Sequence, residues 1–253
     1  MEGRMKISII TVSYNAVTTI EQTISSVVNQ SYPDIEYIII DGGSTDGTVD
    51  VIRKYEDKIA YWVSELDGGI YDAMNKGISL ANGDVIGIIN SDDWYSPDTV
   101  EKAMEVLQNR DIDGVCGSIR YFSVSGERLE VPDVHSNPSL EAMHRGMSIV
   151  HPSVFLRKDA YLKYGGFNLE YPIAGDYELL LRMITSGAKI VYCPDIYVNF
   201  RLGGASGKHS LQSVKDVRKA RYVHGVPFGV RFKCYIYDLF INYYEIVKRI
   251  LER

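Results

Sequence analysis

Two adjacent carboxylates, Asp92 and Asp93, close the stretch GIINSDDWYSPDTV (87–100), directly after apolar Gly87-Ile88-Ile89 and the polar pair Asn90-Ser91. Like charges side by side repel, and at a strand tip each carboxyl has its pKa raised unless something positive offsets it. Two further aspartates stand in the same setting: Asp41 ends IEYIIID ahead of Gly42-Gly43, and Asp67 follows IAYWVSEL ahead of Gly68-Gly69. Several acidic groups converging on one edge cannot all bind phosphate directly. A divalent cation resolves the conflict, because Mg²⁺ or Mn²⁺ takes one or two carboxylates together with substrate phosphate oxygens and water. The competing reading is that Asp92 and Asp93 cap the turn ahead of Pro97.

Asp41 has two readings as well: a carboxylate suits paired N–H donors, such as a nucleobase edge, or it steadies its own turn. Ser44 or Asp46 would cap the helix that follows. The helix expected to start near 69–70 offers free amides to an anionic group. Lys76, two turns into that helix, either reaches a phosphate or is a solvated lysine.

These residues must be placed by regular elements. Apolar runs at 6–14, 35–43, 59–65 and 84–90 read as buried strands, and 18–31, 48–57, 69–81 and 98–109 as helices between and after them. Continuous Ile and Val in strands that alternate with helices predict a parallel sheet covered on both faces. Such sheets bind ligands at the carboxyl ends of their strands, where Thr11–Asn15, Asp41, Asp67 and Asn90–Asp93 would line up. Further on, 113–123, 127–132 and 149–156 read as strands, 175–188 as a helix and 189–200 as a bent strand or strand pair. The segment 201–210 is glycine-rich, and 211–253 is helical, basic and tyrosine-rich.

The totals narrow the classes. With 253 residues, 45% apolar and 24% charged, the chain is an ordinary globular protein. A net charge of −6 carries no footprint for nucleic acid. Three widely spaced cysteines, Cys116, Cys193 and Cys234, fit free thiols in a reducing compartment. No apolar run reaches the length of a membrane span, so a soluble, cytoplasmic protein is expected.

The stretches SIITVSYNA, EYIIIDGGSTDGT, SELDGGIYDAMNKGI and IINSDDWYSPDTV, in this order and spacing, resemble the successive motifs of family 2 glycosyltransferases of the bacterial polysaccharide-biosynthesis type. The resemblance covers about residues 6–200. It implies a GT-A fold: a mainly parallel, Rossmann-like α/β sheet flanked by helices, here with a C-terminal helical extension. The corresponding division is a catalytic domain at 1–210, with a nucleotide-sugar half (1–110) and an acceptor half (111–210), and an extension at 211–253.

It also implies a nucleoside-diphosphate sugar, UDP-linked by weak preference, with Mn²⁺ or Mg²⁺ bridging the diphosphate. Thr11, Tyr14 and Asp41 match positions that hold the nucleoside, and Asp67 and Lys76 fall in the next donor-contacting segment. The family's Asp-x-Asp signature aligns with Asn90-Ser91-Asp92, which makes Asp92 the first metal ligand and Asp93 its neighbour. Here the first acidic position is Asn90, so the site carries one less negative charge.

Inverting transfer needs a base for the acceptor hydroxyl. YPIAGDYELLLRM offers Asp176, with Glu178 in reserve; the acidic residue often seen before that aspartate is Gly175 here. NFRLGGASGKHS resembles a loop that closes over the donor diphosphate, so Arg201, Ser206, Lys208 and His209 would cover the phosphates or simply form a surface loop. His151 either lines the acceptor cleft or is a satisfied core histidine. The basic-aromatic tail, with Arg231, Lys233, Lys248 and Arg249, lies on an anionic membrane, or packs on the catalytic domain or a second subunit.

The expected activity is transfer to a hydroxyl of a saccharide or lipid-linked saccharide in surface polysaccharide synthesis, catalysed by a hexosyl- or N-acetylhexosaminyl-transferase. Two rivals differ in class. A nucleotidyltransferase would want a glycine-rich basic loop after the first strand, and TVSYNAVTT has no glycine, lysine or arginine. A non-catalytic nucleotide-sugar sensor would bind donor without turning it over.

Overall fold

The computed structural model describes residues 4–203 and 211–236. Four strands, β1 (Ile7–Ser13), β2 (Ile35–Asp41), β3 (Tyr61–Ser64) and β4 (Val85–Asn90), pair in parallel in the order β3-β2-β1-β4. The helices α1 (Ile20–Val28), α2 (Thr48–Arg53) and α3 (Ile70–Leu80) connect them. Side chains alternate across a strand, and in β1, β2 and β4 both faces are buried. Ile7 and Ile9 of β1, Ile39 of β2, and Val85 and Ile89 of β4 pack into one apolar cluster. Ile10, Val12, Ile38, Ile40, Ile86 and Ile88 pack into the other, against Met74 of α3. That is why the strands read as unbroken apolar runs.

Beyond β4 the sheet turns mixed. β5 (Trp94–Tyr95) and α4 (Thr99–Val106) lead to β6 (Gly114–Phe122), β7 (Val134–His135), α5 (Leu140–Arg145), β8 (Phe155–Arg157) and α6 (Lys158–Tyr164). Then come α7 (Gly175–Thr185), β9 (Ile190–Arg201) and α8 (Leu211–Val223). The full order is β3-β2-β1-β4-β8-β6-β9-β5, with β7 beside β6. β8 is antiparallel to β4 and β6, whereas β6 and β9 run parallel.

Two expected strands shrink. Within 127–132 only Arg128 forms a bridge, to Phe122, and the run at 149–156 breaks at Pro152 into a 3₁₀ turn, His151–Ser153, ahead of β8. Proline removes a ladder donor, so the strand cannot begin earlier. Among the described residues no helix is long and apolar enough to cross a membrane.

The amino end of the sheet is tied by Glu36 of β2. Its carboxylate accepts from Ser8 Oγ (2.5 Å), Asn82 N (2.7 Å), Asn82 Nδ2 (3.1 Å) and Lys6 Nζ (3.3 Å). Burial alone would raise its pKa, but these donors prevail and hold it at about 2, against 4.5 ordinarily. A depressed carboxyl stabilises the fold above its unfolded pKa and loses that stabilisation as pH falls through the folded value. We therefore expect Glu36→Gln to cost about 2 kcal/mol at neutral pH and to flatten the acid limb of thermal unfolding between pH 4.5 and about 2. An unchanged limb would refute it.

Candidate active site

The carboxyl ends of the parallel strands open on a cleft of about 1070 Å³. Its polar lining includes Tyr14, Asn15, Asp67, Asn90, Asp92, His151 and Asp176, among apolar side chains such as Ile70, Met74 and Ile149. The wall after β1 is set by Asn15, whose φ of 49° lies in the left-handed region that Asn tolerates. Its N–H donates to Ser44 Oγ (2.7 Å), and its Oδ1 accepts from Thr45 N (3.0 Å). Asp46 accepts from Val17 N and Thr48 N in the turn ahead of α2, but the cap position is Gly47, with φ 100°, so neither Ser44 nor Asp46 caps the helix as expected.

Four donor-side expectations are corrected. Thr11 lies under the cleft floor: it is fully buried, and its hydroxyl pairs with that of Tyr37 (3.0 Å). Asp41 is also fully buried. Its oxygens are filled by Ser13 Oγ (2.8 Å), Ser44 Oγ (2.6 Å), Ser44 N (2.8 Å), Gly43 N (3.2 Å) and Ser64 Oγ (2.7 Å). Despite burial, these donors hold its carboxyl below the usual range. It locks three strand ends together and leaves no lone pair for a nucleobase. Lys76 points away from the cleft, paired with Glu65 (3.1 Å) and Asp72 (3.8 Å).

Arg201 is nearly buried, and every face of its guanidinium is used. It donates to Asp92 O (3.2 Å), Val124 O (2.9 Å) and Gln22 Oε1 (2.5 Å), and lies over the Trp94 ring at 5.0 Å. It braces the acidic turn from behind and is not placed to cover a phosphate. Ser206, Lys208 and His209 lie outside the described residues, as do Lys248 and Arg249.

Tyr14 and Asp67 do face the cleft. Tyr14 is 67% exposed, a ring unsupported by the core and available for stacking. Asp67 Oδ1 accepts from Gly69 N (2.8 Å), and Oδ2 lies over Gly42, 2.7 Å from where a Cβ would stand. Only glycine at 42 allows that approach. Gly42→Ala is expected to displace Asp67 and weaken nucleotide binding about tenfold by titration calorimetry, with the melting temperature nearly unchanged; undiminished binding would free Asp67 of that role.

The acidic pair divides. Asp92 lines the cleft, and burial pushes its carboxyl up while Arg201 opposes the shift. Asp93 is turned inward, 1% exposed, with Oδ1 accepting the backbone N–H of Arg201 (3.1 Å). Burial and the neighbouring Asp92 charge push it well up. The two residues sit on a turn closed by Asp93 N donating to Asn90 O (3.3 Å), and the Asp93 side chain is spent on the Arg201 amide, so Asp93 anchors β9 and does not accompany Asp92 as a ligand.

Does a divalent ion suit this set? Asn90 Oδ1 is buried without a hydrogen-bond partner, next to the partly desolvated Asp92. Among the described residues no group of three or more His, Cys, Asp or Glu side chains is placed to hold a metal ion by itself. One carboxylate and one amide oxygen fit a hard cation that shares its shell with ligand phosphates, and do not make a protein-only cage.

Across the cleft Asp176 stands at the start of α7. Its Oδ1 accepts from Tyr71 Oη (3.1 Å) and Tyr177 N (2.8 Å), and among the described residues none donates to Oδ2. The single Tyr71 hydroxyl hydrogen is shared between Asp176 Oδ1 and Ile173 O (2.9 Å). Burial, and then the Asp176 charge, raise the Tyr71 pKa, so it remains a donor. Its ring stacks on Phe167 at 5.1 Å and fills the space above Gly175, where a Cβ would meet it at 2.8 Å. That accounts for glycine where an acidic residue was expected.

Glu178 is excluded as a reserve base: it is 2% exposed and paired with Arg182 (2.9 Å) and His224 (2.8 Å). His151 lines the cleft; burial pushes its imidazole down, opposed by the Asp176 charge. Sequence reasoning missed Tyr71. The signal available was a large aromatic in the first turn of the helix after Gly68-Gly69, but its partner lies 105 positions away.

The family model for glycosyl transferase family 2 matches residues 8–162. An uncharacterised glycosyltransferase of Mycobacterium tuberculosis is 38% identical over 188 residues, covering 72% of this chain and 70% of the relative. The fold is similar to that of S. aureus TarS, solved in complex with UDP-GlcNAc, at TM-score 0.70 and 21% identity over 87% of this chain and 66% of that one. A mannosyltransferase of Pyrobaculum calidifontis, solved with GDP-Man and Mn²⁺, matches at TM-score 0.62 and 18% identity, over 88% of this chain and 62% of its own. The chain thus spans less than two thirds of either solved structure.

Proposed function

The chain belongs to glycosyl transferase family 2, and from that premise we propose that it is an inverting, metal-assisted hexosyl- or N-acetylhexosaminyl-transferase. It would take a nucleoside-diphosphate sugar, UDP-linked by preference, and a hydroxyl of a saccharide or lipid-linked saccharide. The observation that carries this reading is the single cleft that holds Asp92 and the orphaned Asn90 oxygen on one side and the open Oδ2 of Asp176 on the other. The complexes of TarS with UDP-GlcNAc and of the mannosyltransferase with GDP-Man and Mn²⁺ support the donor class and the ion.

In the proposed reaction, Tyr14 and Asp67 hold the nucleoside end. Asp92, with Asn90, would hold a divalent cation against the diphosphate, which supplies the charge that stabilises the leaving group. Asp176 Oδ2 accepts the hydrogen of the acceptor hydroxyl. As that oxygen forms its bond to the anomeric carbon, the bond to the diphosphate breaks on the opposite face, and the proton stays on Asp176. The Tyr71 hydroxyl keeps Oδ1 occupied, so Oδ2 is the oxygen presented.

A panel of UDP and GDP sugars tested for thermal shift, with and without Mn²⁺, tests the reading. Mass action predicts stabilisation by one donor class that grows with Mn²⁺. No shift with any nucleotide sugar would overturn it, and a shift without any nucleotide release would favour the sensor. For Tyr71→Phe we expect kcat to fall about tenfold with donor KM unchanged, the worth of one hydrogen bond to a charged group. A rise in KM with kcat intact would remove Tyr71 from this role.

A further inference from the structure

The turn that carries Asp176 is fastened by a residue from outside the catalytic sheet. Asp216 lies on α8 and is 2% exposed. Its Oδ2 accepts the backbone N–H groups of Ile173 (2.9 Å) and Ala174 (3.2 Å), and its Oδ1 accepts from Gln212 Nε2 (2.7 Å). A helix leaves its first N–H groups without internal partners; Ala174, at the cap position of α7, has no polar side chain, and Asp216 takes its N–H together with that of Ile173 just before the helix. The carboxylate comes instead from a residue 42 positions further along the chain, where it also complements the positive end of the α7 dipole.

A buried carboxylate is costly unless hydrogen-bonded, so this position holds Asp216 and the turn to each other. Ile173 is tied from both sides, with its N–H on Asp216 and its carbonyl on the Tyr71 hydroxyl. Other contacts seat α8 on the same region: Lys219 pairs with Glu170 (2.7 Å), and His224, just past its end, with Glu178 of α7 (2.8 Å).

We propose that Asp216 is a positioning residue of this enzyme: by capping Ile173 and Ala174 it sets where Asp176 presents Oδ2 to the acceptor hydroxyl. The proposal rests on the reading of Asp176 as the base. It makes α8, which lies beyond the residues matched by the family model, a part of the catalytic apparatus.

The test compares the full-length chain with Asp216→Ala, Asp216→Asn and, as a control on the exposed side of the same helix, Lys215→Ala. By hydrogen exchange, the Ile173 and Ala174 amides of Asp216→Ala should open about tenfold faster while the interior of α7 keeps its protection. With the donor identified by the nucleotide-sugar panel, kcat should fall about tenfold and donor KM stay within about twofold. Asp216→Asn, which keeps one acceptor oxygen, should fall between, and Lys215→Ala should match the parent.

Unchanged exchange at Ile173 and Ala174 overturns the proposal, as does faster exchange with kcat intact. Should Asp216→Ala not fold, Asp216→Asn and Gln212→Ala are read by the same criteria. Asp176→Asn, run alongside, separates the two readings: if it keeps turnover, the base assignment fails. If it loses turnover while Asp216→Ala does not, only the positioning role fails.

Discussion

Asp176→Asn is expected to lower the rate of sugar transfer by about 10³-fold while donor affinity changes by less than about threefold. Asparagine keeps the shape and one oxygen, so the Tyr71 hydroxyl still has a partner. The amide cannot take the proton released when the acceptor oxygen bonds to the anomeric carbon. General-base assistance contributes about 10² to 10⁴ in rate, and Glu178, the carboxylate nearest in sequence, is enclosed by Arg182 and His224 and does not stand in for it. His151, also in the cleft, has its imidazole pKa pushed down by burial. Transfer assays with the identified donor and acceptor, paired with calorimetric titration of the nucleotide, check the claim. Near-parental turnover would place the base elsewhere.

Asp92→Asn should act on the opposite partner. Loss of the carboxylate removes the charge that stands beside the Asn90 oxygen in the cleft, and Asp93 cannot replace it because it is committed to the Arg201 amide. The expected result is loss of the Mn²⁺-dependent part of nucleotide affinity, at least about 30-fold, with a fall in turnover of about 10³-fold. Folding should not suffer, since burial already disfavours the charge on Asp92. The nucleotide-free protein should therefore melt at or above the parental temperature, while the shift induced by nucleotide with Mn²⁺ disappears. A parental shift in that variant would exclude Asp92 as a ligand.

Much of the fold was legible because its first half is locally coded. The strands at 7–13, 35–41 and 85–90 were visible as apolar runs, since a parallel strand buried on both faces is rich in apolar side chains, and 61–64, at the sheet edge, as a short aromatic run. The later strands were harder. β8 has three residues, and β5 has two; they exist because β4, β6 and β9 offer open edges, a non-local circumstance. The segment 127–132 alternates well enough to read as a strand but finds only one bridge.

The site was legible as a set of positions rather than as a set of roles. Asp92 and Asp93 are alike in sequence, and only the turn tells which faces the cleft. Asp41 looks open at a strand end, yet three serine hydroxyls from three strand ends and their loops close around it. Lys76 and Arg201 have long side chains whose targets are set by whichever acceptor the fold brings near.

The sequence by itself determined the family, the parallel half of the sheet and the edge where chemistry gathers, because hydrophobic periodicity and strand-end polar residues act over a few neighbouring positions. Only the tertiary structure decided which carboxylate is free, that Tyr71 and Gly175 share one space, and that Asp216 caps the turn of Asp176. Those outcomes depend on hydrogen-bond partners up to 108 positions apart. Their pairing is fixed by packing, which no local pattern encodes.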